Sequence, residues 1–586
     1  MRVLRDSYNI GVLAYSSKDK IESENLSEEF ITGKAFEIIK EYWDRVDLII
    51  FIGSVGAVVR LIAPLLKGKE KDPAIVVTDF KASNFIPIIG GHSKGADQYA
   101  SELALIMNSN AVFTSESKTR ELLSLDSFGK DWGWTRSGDV NNWTELIINF
   151  SNRKNVGFYQ DSGSDLWMNC LPFSDLVLQK DKKNENNFFI TSFKENKCCW
   201  HPRDLWIGIG CERNTSESLI NRAVSQILSK KKLAKESIAG IATVNLKVDE
   251  KGLISFGKKN NWNIKFFSAD KLSKIQVPNP SHSVEKAIGT NSVAEASSMA
   301  AAGKRCSLIV QKMIFKANNI ENGAVTIAIS KSLDSYAPDN GELHLIGSGP
   351  GEISYLTADA RIALSRCVVW IGYKLYLDQL EGLRRNDQIR VDSEISKEEN
   401  RCKKALDLAK GGAKVALVSS GDIGIYGMSG LVYEIFFKMP PEDRPSVFVH
   451  PGISAFQLAA ARAGAPIMSD FSVISLSDLL VDWDSIEKRL VCASEADFVT
   501  AIYNPKSLKR NWQLKRAIEI FLEKRADNTP VVVSKHLGRE GEVTRIYRLD
   551  SIPFEEVNMF TVLIIGNTKS FFHKNLVITP RGYLKE

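Results

Sequence analysis

Residues able to do chemistry in this chain gather in short glycine-rich turns rather than in spaced acid–base sets. In the second half these turns are 347-GSGPG-351, 419-SSGDIGIYGM-428, 451-PGISAFQ-457, 503-YN-504 and 536-HLGREGE-542. In the first half they are 90-GGHSKGAD-97 and 210-GCERNTS-216. Glycines allow sharp backbone angles and let a ligand lie against bare N–H and C=O groups. A strand, a glycine turn and a helix in that order often bind a dinucleotide. That chemistry asks for an acidic residue about 20 positions on, at the end of the next strand, to hold a ribose hydroxyl. Here the next strand, 367-CVVWIGYK-374, ends without Asp or Glu. Pro350 also stands where a phosphate cradle would want an N–H. The turns therefore suit a ligand gripped by backbone polar groups better than a nicotinamide dinucleotide.

Each turn needs a strand to deliver it. Leu343–Ile346 leads into the first, and Thr357 can cap the helix behind it. The apolar runs 415-VALVSS-420, 447-VFVH-450 and 498-FVTAIY-503 lead into the others, so all can meet at one edge of an open sheet. In the first half, Leu48–Ile52, 74-AIVVTD-79 and 111-AVFT-114 read as strands alternating with helices over 53–66 and in 85–107. That alternation predicts a parallel sheet covered on both faces. Residues 120–200 are polar and less regular, above all 180-KDKKNENN-187. Leu205–Ile209 starts a second unit. Its helix is expected to be capped by Asn214 with Glu217 completing a capping box. It buries Ile220, Ala223, Val224 and Ile227 and closes on Lys230–Lys232, where cations suit the helix dipole. A strand over 238–246, helical segments around 284–302 and a hairpin over 307–330 complete that unit. The polar run 331-KSLDSYAPDNGE-342 reads as a linker.

The expected class is α/β, with several α/β domains. The expected divisions are an N-terminal domain over 1–120, an irregular middle subdomain over 121–200 and a third domain over 201–330. A linker over 331–341 and a C-terminal region over 342–586 follow, the latter split into subdomains of about 342–450 and 451–570.

The totals agree. A length of 586 residues allows about four folding units. A net charge of +6 is too small, and too little clustered, for a dedicated nucleic-acid binder, but it suits an anionic small substrate. Eight cysteines with no C-x-x-C spacing argue against a disulfide framework or a structural zinc site and for a reducing cytoplasm. There is no apolar stretch at the N-terminus suited to a signal peptide and no run of eighteen apolar residues to span a membrane.

The series G-S-G-P-G…L-T, S-S-G-D-x-G-I-Y-G-M, P-G-I-S-A-F-Q and Y-N-P, over about 342–570, resembles the tetrapyrrole methyltransferase family. HPGISAFQLAAARAGAP, SDFSVISLSDLL, EADFVTAIYNPKS and HLGREGE resemble its branch that methylates carbon 17 of a precorrin-3-level macrocycle as the ring contracts. The resemblance implies a two-subdomain fold with the active site in the cleft between subdomains, S-adenosylmethionine as cofactor, and a homodimer through this half. It places Gly349, Pro350, Gly351, Ser420, Gly421, Asp422, Ile425, Tyr426, Ser454, Ala455, Tyr503 and Asn504 around the cofactor. Asp422 also suits a plain turn residue. His536, Arg539 and Glu542 would meet substrate carboxylates, or form a solvated loop. His450 and Glu495 are further candidates for assisting contraction.

The segments 53-GSVGAVVRLIAPLL-66, 90-GGHSKGADQYASELA-104, 205-LWIGIGCERNTS-216 and 278-PNPSHSVEKAIGTNSVAEASSMAAAG-303 resemble the cobalamin-pathway family that opens the lactone of cobalt-precorrin-5A and releases acetaldehyde. The resemblance covers about 1–330. Asp97 replaces the usual Asn of its G-G-H-x-x-G-A-N motif. Lactone opening needs an activated water and a held oxyanion. His92 is the candidate base, or it merely caps the helix. Cys211 could be a nucleophile or a small buried residue, and His282 and Glu295 are weaker candidates. His201 beside Cys198 and Cys199 lacks the spacing of a metal site, and no metal bound to protein ligands is expected. The whole reads as a bifunctional enzyme whose tetrapyrrole substrates carry cobalt, or as a methyltransferase fused to a non-catalytic tetrapyrrole carrier.

Overall fold

The computed structural model describes residues 14–16, 30–32 and 34–583, apart from 69–70, 92–93, 108, 114–122, 153, 155, 171–175, 179–186, 395–396 and 508–509. His92 lies outside the described residues. The described chain is a series of mixed α/β layers, each sheet flanked by the helices that connect its strands.

The first sheet runs Leu48–Ile52, Ala74–Thr78, Asn84–Ile89, Asn110–Ala111 in spatial order. It is not the parallel sheet expected, because Asn84–Ile89 pairs antiparallel to Ala74–Thr78. Too few residues separate these strands for a helical crossover, and parallel pairing needs a dozen or more. Asp79 builds the tight turn instead, accepting N–H groups from Lys81, Ser83 and Asn84.

The stretch expected to be irregular carries a five-stranded sheet, ordered Thr135–Ser137, Cys199–His201, Asn187–Ile190, Val156–Gln160, Leu176–Leu178. Its strands have three to five residues, too short for an alternation to stand out. Aromatic packing holds it: Trp167 lies 5.1 Å from Phe128 and 5.0 Å from Phe158, and Trp200 lies 5.6 Å from Phe128.

The third sheet is ordered Ile264–Phe267, Ile238–Val244, Leu205–Cys211, Ala324–Lys331, Ser307–Lys316, with the last two strands forming an antiparallel hairpin. The helix Glu217–Lys231 is capped by Ser216, whose Oγ accepts the Leu219 N–H, and not by Asn214. Asn214 sits two residues earlier in a left-handed turn with φ 61°. The helix Val293–Ala302 lies directly on the central strand, since a Cβ at Gly208 would stand 1.8 Å from the Ala294 carbonyl oxygen.

The expected linker is a packed segment. Lys331 still belongs to a strand, and Tyr336 and Ala337 are buried. The Tyr336 ring lies 4.8 Å from Trp206, and its hydroxyl donates to the Glu442 carbonyl and to Asp443. Lys265 stands over the same ring and pairs with Asp443 at 2.6 Å. One continuous apolar cluster joins Trp132, Trp134 and Trp200 of the middle sheet to Leu343, Val369, Leu406 and Val415 beyond the segment. Glu102 and Arg366 add a bidentate ion pair at 2.9 and 2.8 Å across the same junction.

After residue 341 comes a fully parallel sheet ordered Ile389–Ser393, Val369–Tyr373, Lys414–Ser419, Glu342–Gly347, Ser446–His450. A mixed sheet follows: Phe471–Ser475, Val499–Tyr503, Thr561–Ile565, Pro530–Lys535, Val543–Arg548. Among the described residues no helix is long and apolar enough to cross a membrane.

Candidate active site

Parallel register fixes where the glycine turns emerge. Gly347 pairs with Ser419, and Ile346 with His450, so three adjacent strands end level with one another. The turns beginning at Gly347, Ser420 and Pro451 therefore leave the same edge. Gly349 and Gly421, both at positive φ (75° and 66°), exchange two backbone hydrogen bonds of 3.1 and 2.7 Å. Gly452 completes the closure: a Cβ there would stand 2.2 Å from the Gly421 carbonyl oxygen and 2.6 Å from that of Gly347.

Asp422 is the brace of this arrangement. Its Oδ1 accepts the Gly424 N–H at 2.8 Å and its Oδ2 the Gly452 N–H at 3.0 Å. The carboxylate ties two turns together, which is the turn-residue role. Ser420 Oγ donates to the Gly349 carbonyl. Thr357 caps the helix Ala358–Arg366 and also donates to the Pro451 carbonyl. The Ser454 N–H donates to Gln457 Oε1 at the start of the helix Ala455–Ala463.

Aromatic residues form the other wall. Tyr426, at φ 54°, is 55 % exposed, with its hydroxyl donating to the Val473 carbonyl. Its ring lies 5.5 Å from that of Tyr503, whose hydroxyl accepts the Phe456 N–H. Burial pushes the Tyr503 phenol up to about 12, so it stays neutral. Asn504, at φ 50°, donates to Ser475 Oγ, and Ile425 is partly exposed beside Tyr426. Ser348 Oγ is buried among the turns with no hydrogen-bond partner among the described residues.

The loop after Pro530–Lys535 covers the first turn. Gly538 packs against Gly351 backbone to backbone. Arg539 donates to the Pro350 carbonyl and to Ser420 Oγ, both at 3.3 Å, while its guanidinium lies over Tyr376 and Phe560. Burial makes that guanidinium easier to deprotonate than usual. Glu542 accepts the Gly538 N–H and pairs with Arg462. His536 stacks on Phe560 at 5.3 Å. The structure thus brings Gly349, Pro350, Gly351, Ser420, Gly421, Asp422 and Arg539 into direct contact and sets Ser454, Tyr426, Tyr503 and Asn504 beside them. Glu495 is instead exposed at the end of the helix Trp483–Glu495. Sequence reasoning named the turn glycine Gly347 but did not single out Ser348 or Gly452, although the strand pairing that sets Gly452 against Gly347 and Gly421 is a signal that register would have given. It named His450 but not its partner His344 behind Pro451.

In the first half, the described candidates do not assemble into one site. Burial pushes the Cys211 thiol up to about 11, against any role as a nucleophile. Glu295 is fully buried and accepts both N–H groups of Asn279 that face it and the Lys312 N–H, so it pins a loop. His282 is almost fully exposed and pairs with Glu285. His201 is buried between Ser137 Oγ and the Thr191 carbonyl, and burial pushes the neighbouring Cys198 and Cys199 thiols up to about 12. Asp97 is buried at the start of the helix Ala96–Ile106, close to Gly91.

Comparison with known proteins matches three segments of the chain. Residues 342–553 match the Tetrapyrrole (Corrin/Porphyrin) Methylases, 205–330 match Cobalamin synthesis G C-terminus, and 37–118 match Cobalamin synthesis G N-terminal. A protein of Salmonella typhimurium called probable cobalt-factor III C(17)-methyltransferase is 42 % identical over 241 residues, covering 41 % of this chain and 99 % of that one. Cobalt-factor III methyltransferase of Priestia megaterium is also 42 % identical, over 248 residues, but this chain spans only 46 % of its length. Cobalt-precorrin-5A hydrolase of Priestia megaterium is 29 % identical over 338 residues, covering 54 % of this chain and 87 % of that one.

Proposed function

The C-terminal half of this chain belongs to the tetrapyrrole (corrin/porphyrin) methylases, and from that premise we propose a bifunctional enzyme of corrin-ring synthesis. This half transfers a methyl group from S-adenosylmethionine to carbon 17 of a precorrin-3B-level macrocycle as the ring contracts. The N-terminal half opens the lactone of cobalt-precorrin-5A and releases acetaldehyde. The macrocycle brings its cobalt with it, the enzyme works in the cytoplasm, and the methyltransferase half forms a homodimer.

The observation that carries this reading is the closure of three strand-end turns around Gly349, Gly421 and Gly452 beside Tyr426 and Tyr503. The residues present fit the cofactor. The orphaned Ser348 hydroxyl, the bare glycine backbone and the half-exposed Tyr426 and Ile425 offer hydrogen bonds and apolar contact with no phosphate-binding set. Bound S-adenosylmethionine supplies an electrophilic methyl on a sulfonium. Pro350 and Gly351 line its methionine or ribose side, and Gly421, Ile425, Tyr426, Ser454, Ala455, Tyr503 and Asn504 complete the pocket. Methyl transfer is an in-line displacement, and holding two reactants in line is worth roughly 7–11 kcal/mol. That explains why the turns carry braces rather than acids and bases. Asp422 and Arg539 act as such braces, and Arg539 and His536 sit where carboxylates of the macrocycle can approach. In the N-terminal half we assign His92 as the base that activates water.

The test is to incubate the full chain with methyl-labelled S-adenosylmethionine and precorrin-3B or its cobalt form. The expected product carries one added methyl at carbon 17. Label at another carbon, or none, refutes the assignment. Acetaldehyde release from cobalt-precorrin-5A tests the other half, and binding of that macrocycle without release would make the N-terminal half a carrier.

A further inference from the structure

One line of titratable side chains, buried at its two imidazoles and reaching solvent at Asp359, has no part in the chemistry above. It lies behind Pro451, along the adjacent strands Glu342–Gly347 and Ser446–His450 and the first turn of Ala358–Arg366. Glu342 Oε2 is 3.0 Å from His344 Nε2. His344 Nδ1 is 2.9 Å from His450 Nε2, and His450 Nδ1 is 2.7 Å from Asp359 Oδ2. Both imidazoles are buried and stack at 5.2 Å, with His344 also stacked on Phe448. All four ring nitrogens are engaged.

Counting protons makes this line unusual. Each of its three contacts needs one bridging proton. Two neutral imidazoles bring one N–H each, and two carboxylates bring none. With only two protons, one of the three contacts would oppose lone pair to lone pair at 3.0 Å or less. We propose that the Glu342–His344–His450–Asp359 line holds one proton more than two neutral histidines supply, and that this proton fixes the wall of the cofactor crevice at Pro451 and Gly452. The second part rests on the reading of that crevice as the S-adenosylmethionine site.

The link to the crevice is short. His450 directly precedes Pro451, whose carbonyl is held by Thr357, and Gly452 sits without clearance between Gly347 and Gly421. Asp359 and Thr357 lie on the same helix turn. His344 and His450 are thus positioning residues. The charged groups around the line pull in both directions. Glu342 and Asp359 favour the extra proton. Burial, the largest influence on His344, works against it, as does the Arg366 guanidinium. Arg366 is itself paired with Glu102 of the helix Ala96–Ile106, and Lys414 on the adjacent strand acts on Glu342. The hydrogen bond from His450 holds the Asp359 carboxyl below its usual range.

The experiment uses the full chain labelled with nitrogen-15 at histidine, followed by long-range proton–nitrogen spectra from pH 5.5 to 8.5. His344→Gln and His450→Gln assign the signals. Affinity for S-adenosylhomocysteine is measured calorimetrically over the same range. Imidazolium nitrogen shifts are expected at two histidines, whose signals change together as a coupled pair. Affinity should be level below the midpoint and fall by up to about tenfold per pH unit above it, as one linked proton dictates. His344→Gln, which keeps a donor and an acceptor but cannot titrate, should flatten that profile. Wild-type spectra showing only neutral imidazoles throughout would overturn the proton count, whatever the variants do. An identical pH profile in wild type and His344→Gln would overturn the link to the crevice. Absence of S-adenosylhomocysteine binding at every pH would sink the cofactor reading instead, leaving the spectra to decide the proton count.

Discussion

Replacing Gly452 with alanine tests the closure of the crevice most directly. The added Cβ would stand 2.2 Å from the Gly421 carbonyl oxygen and 2.6 Å from that of Gly347. Carbon and oxygen settle at roughly 3.3 Å or more, so one wall must retreat by about an ångström. Neither wall is a flexible side chain. Gly347 lies on a central strand, and Gly421 is bonded twice to Gly349. Overpacking of this kind costs about 1–3 kcal/mol. The Gly452–Asp422 hydrogen bond lost with it is worth about 1 kcal/mol. Because the distortion falls on strand-end turns, it should appear in ligand affinity more than in global stability. A coupling of about 1–3 kcal/mol is a 5- to 150-fold loss. Calorimetric titration with S-adenosylhomocysteine reads it, with the melting temperature measured alongside. Gly382→Ala is the control, since a Cβ there meets nothing within 4 Å. If Gly452→Ala bound within twofold of wild type at an unchanged melting temperature, the three turns would not shape the site by contact.

Other expectations follow from the packing. Asp204 is buried beside the Ser162 and Ser192 hydroxyls, and burial pushes its carboxyl up to about 6. Because the folded state then binds the proton more tightly than the unfolded chain, Asp204 weakens the fold above pH 6, and stability is regained as pH falls from about 6 towards 4. Asp204→Asn should melt higher at pH 7.5 and lose that part of the pH dependence; an unaltered slope would contradict it. Glu102→Gln leaves the Arg366 guanidinium facing a neutral amide. Breaking a fully buried pair costs 3–5 kcal/mol, and the partial exposure of Arg366 reduces the expected loss to about 2 kcal/mol, read by chemical denaturation. Tyr336→Ala removes a ring packed on Trp206 and should cost about 3 kcal/mol or more. If the melt split into two transitions rather than shifting as one, Tyr336 would be shown to couple the halves.

The parallel sheet after residue 341 was readable because its strands are apolar runs ended by glycine turns, and each turn had to face the same way. Thr357 as a cap and the convergence of 347–351 with 421–426 followed from that alone. The side of the sheet that Asp422 serves was not readable. Its carboxylate accepts backbone N–H groups from its own turn and from one thirty residues later, which only register brings near. The middle sheet stayed hidden because strands of three to five residues carry too few alternations, and its tryptophans are spread from Trp132 to Trp200. Asp79 shows the same limit at short range: a five-residue turn decided strand direction against the alternation of the elements around it. His344 and His450 lie 106 residues apart, and nothing local in either segment announces the other.

The segment between the two halves has a practical consequence for anyone dividing the gene. Tyr336 and Ala337 are buried in the seam between the halves, Tyr336 against Trp206, and not on a tether. A cut placed at the polar stretch would strip the cover from Trp206 on one fragment and from Val369 and Leu406 on the other. Each piece would then present a raw apolar scar, and its tendency to clump would be misread as lack of activity. Polar substitutions along that seam, made before the cut, are what would let either half be studied by itself.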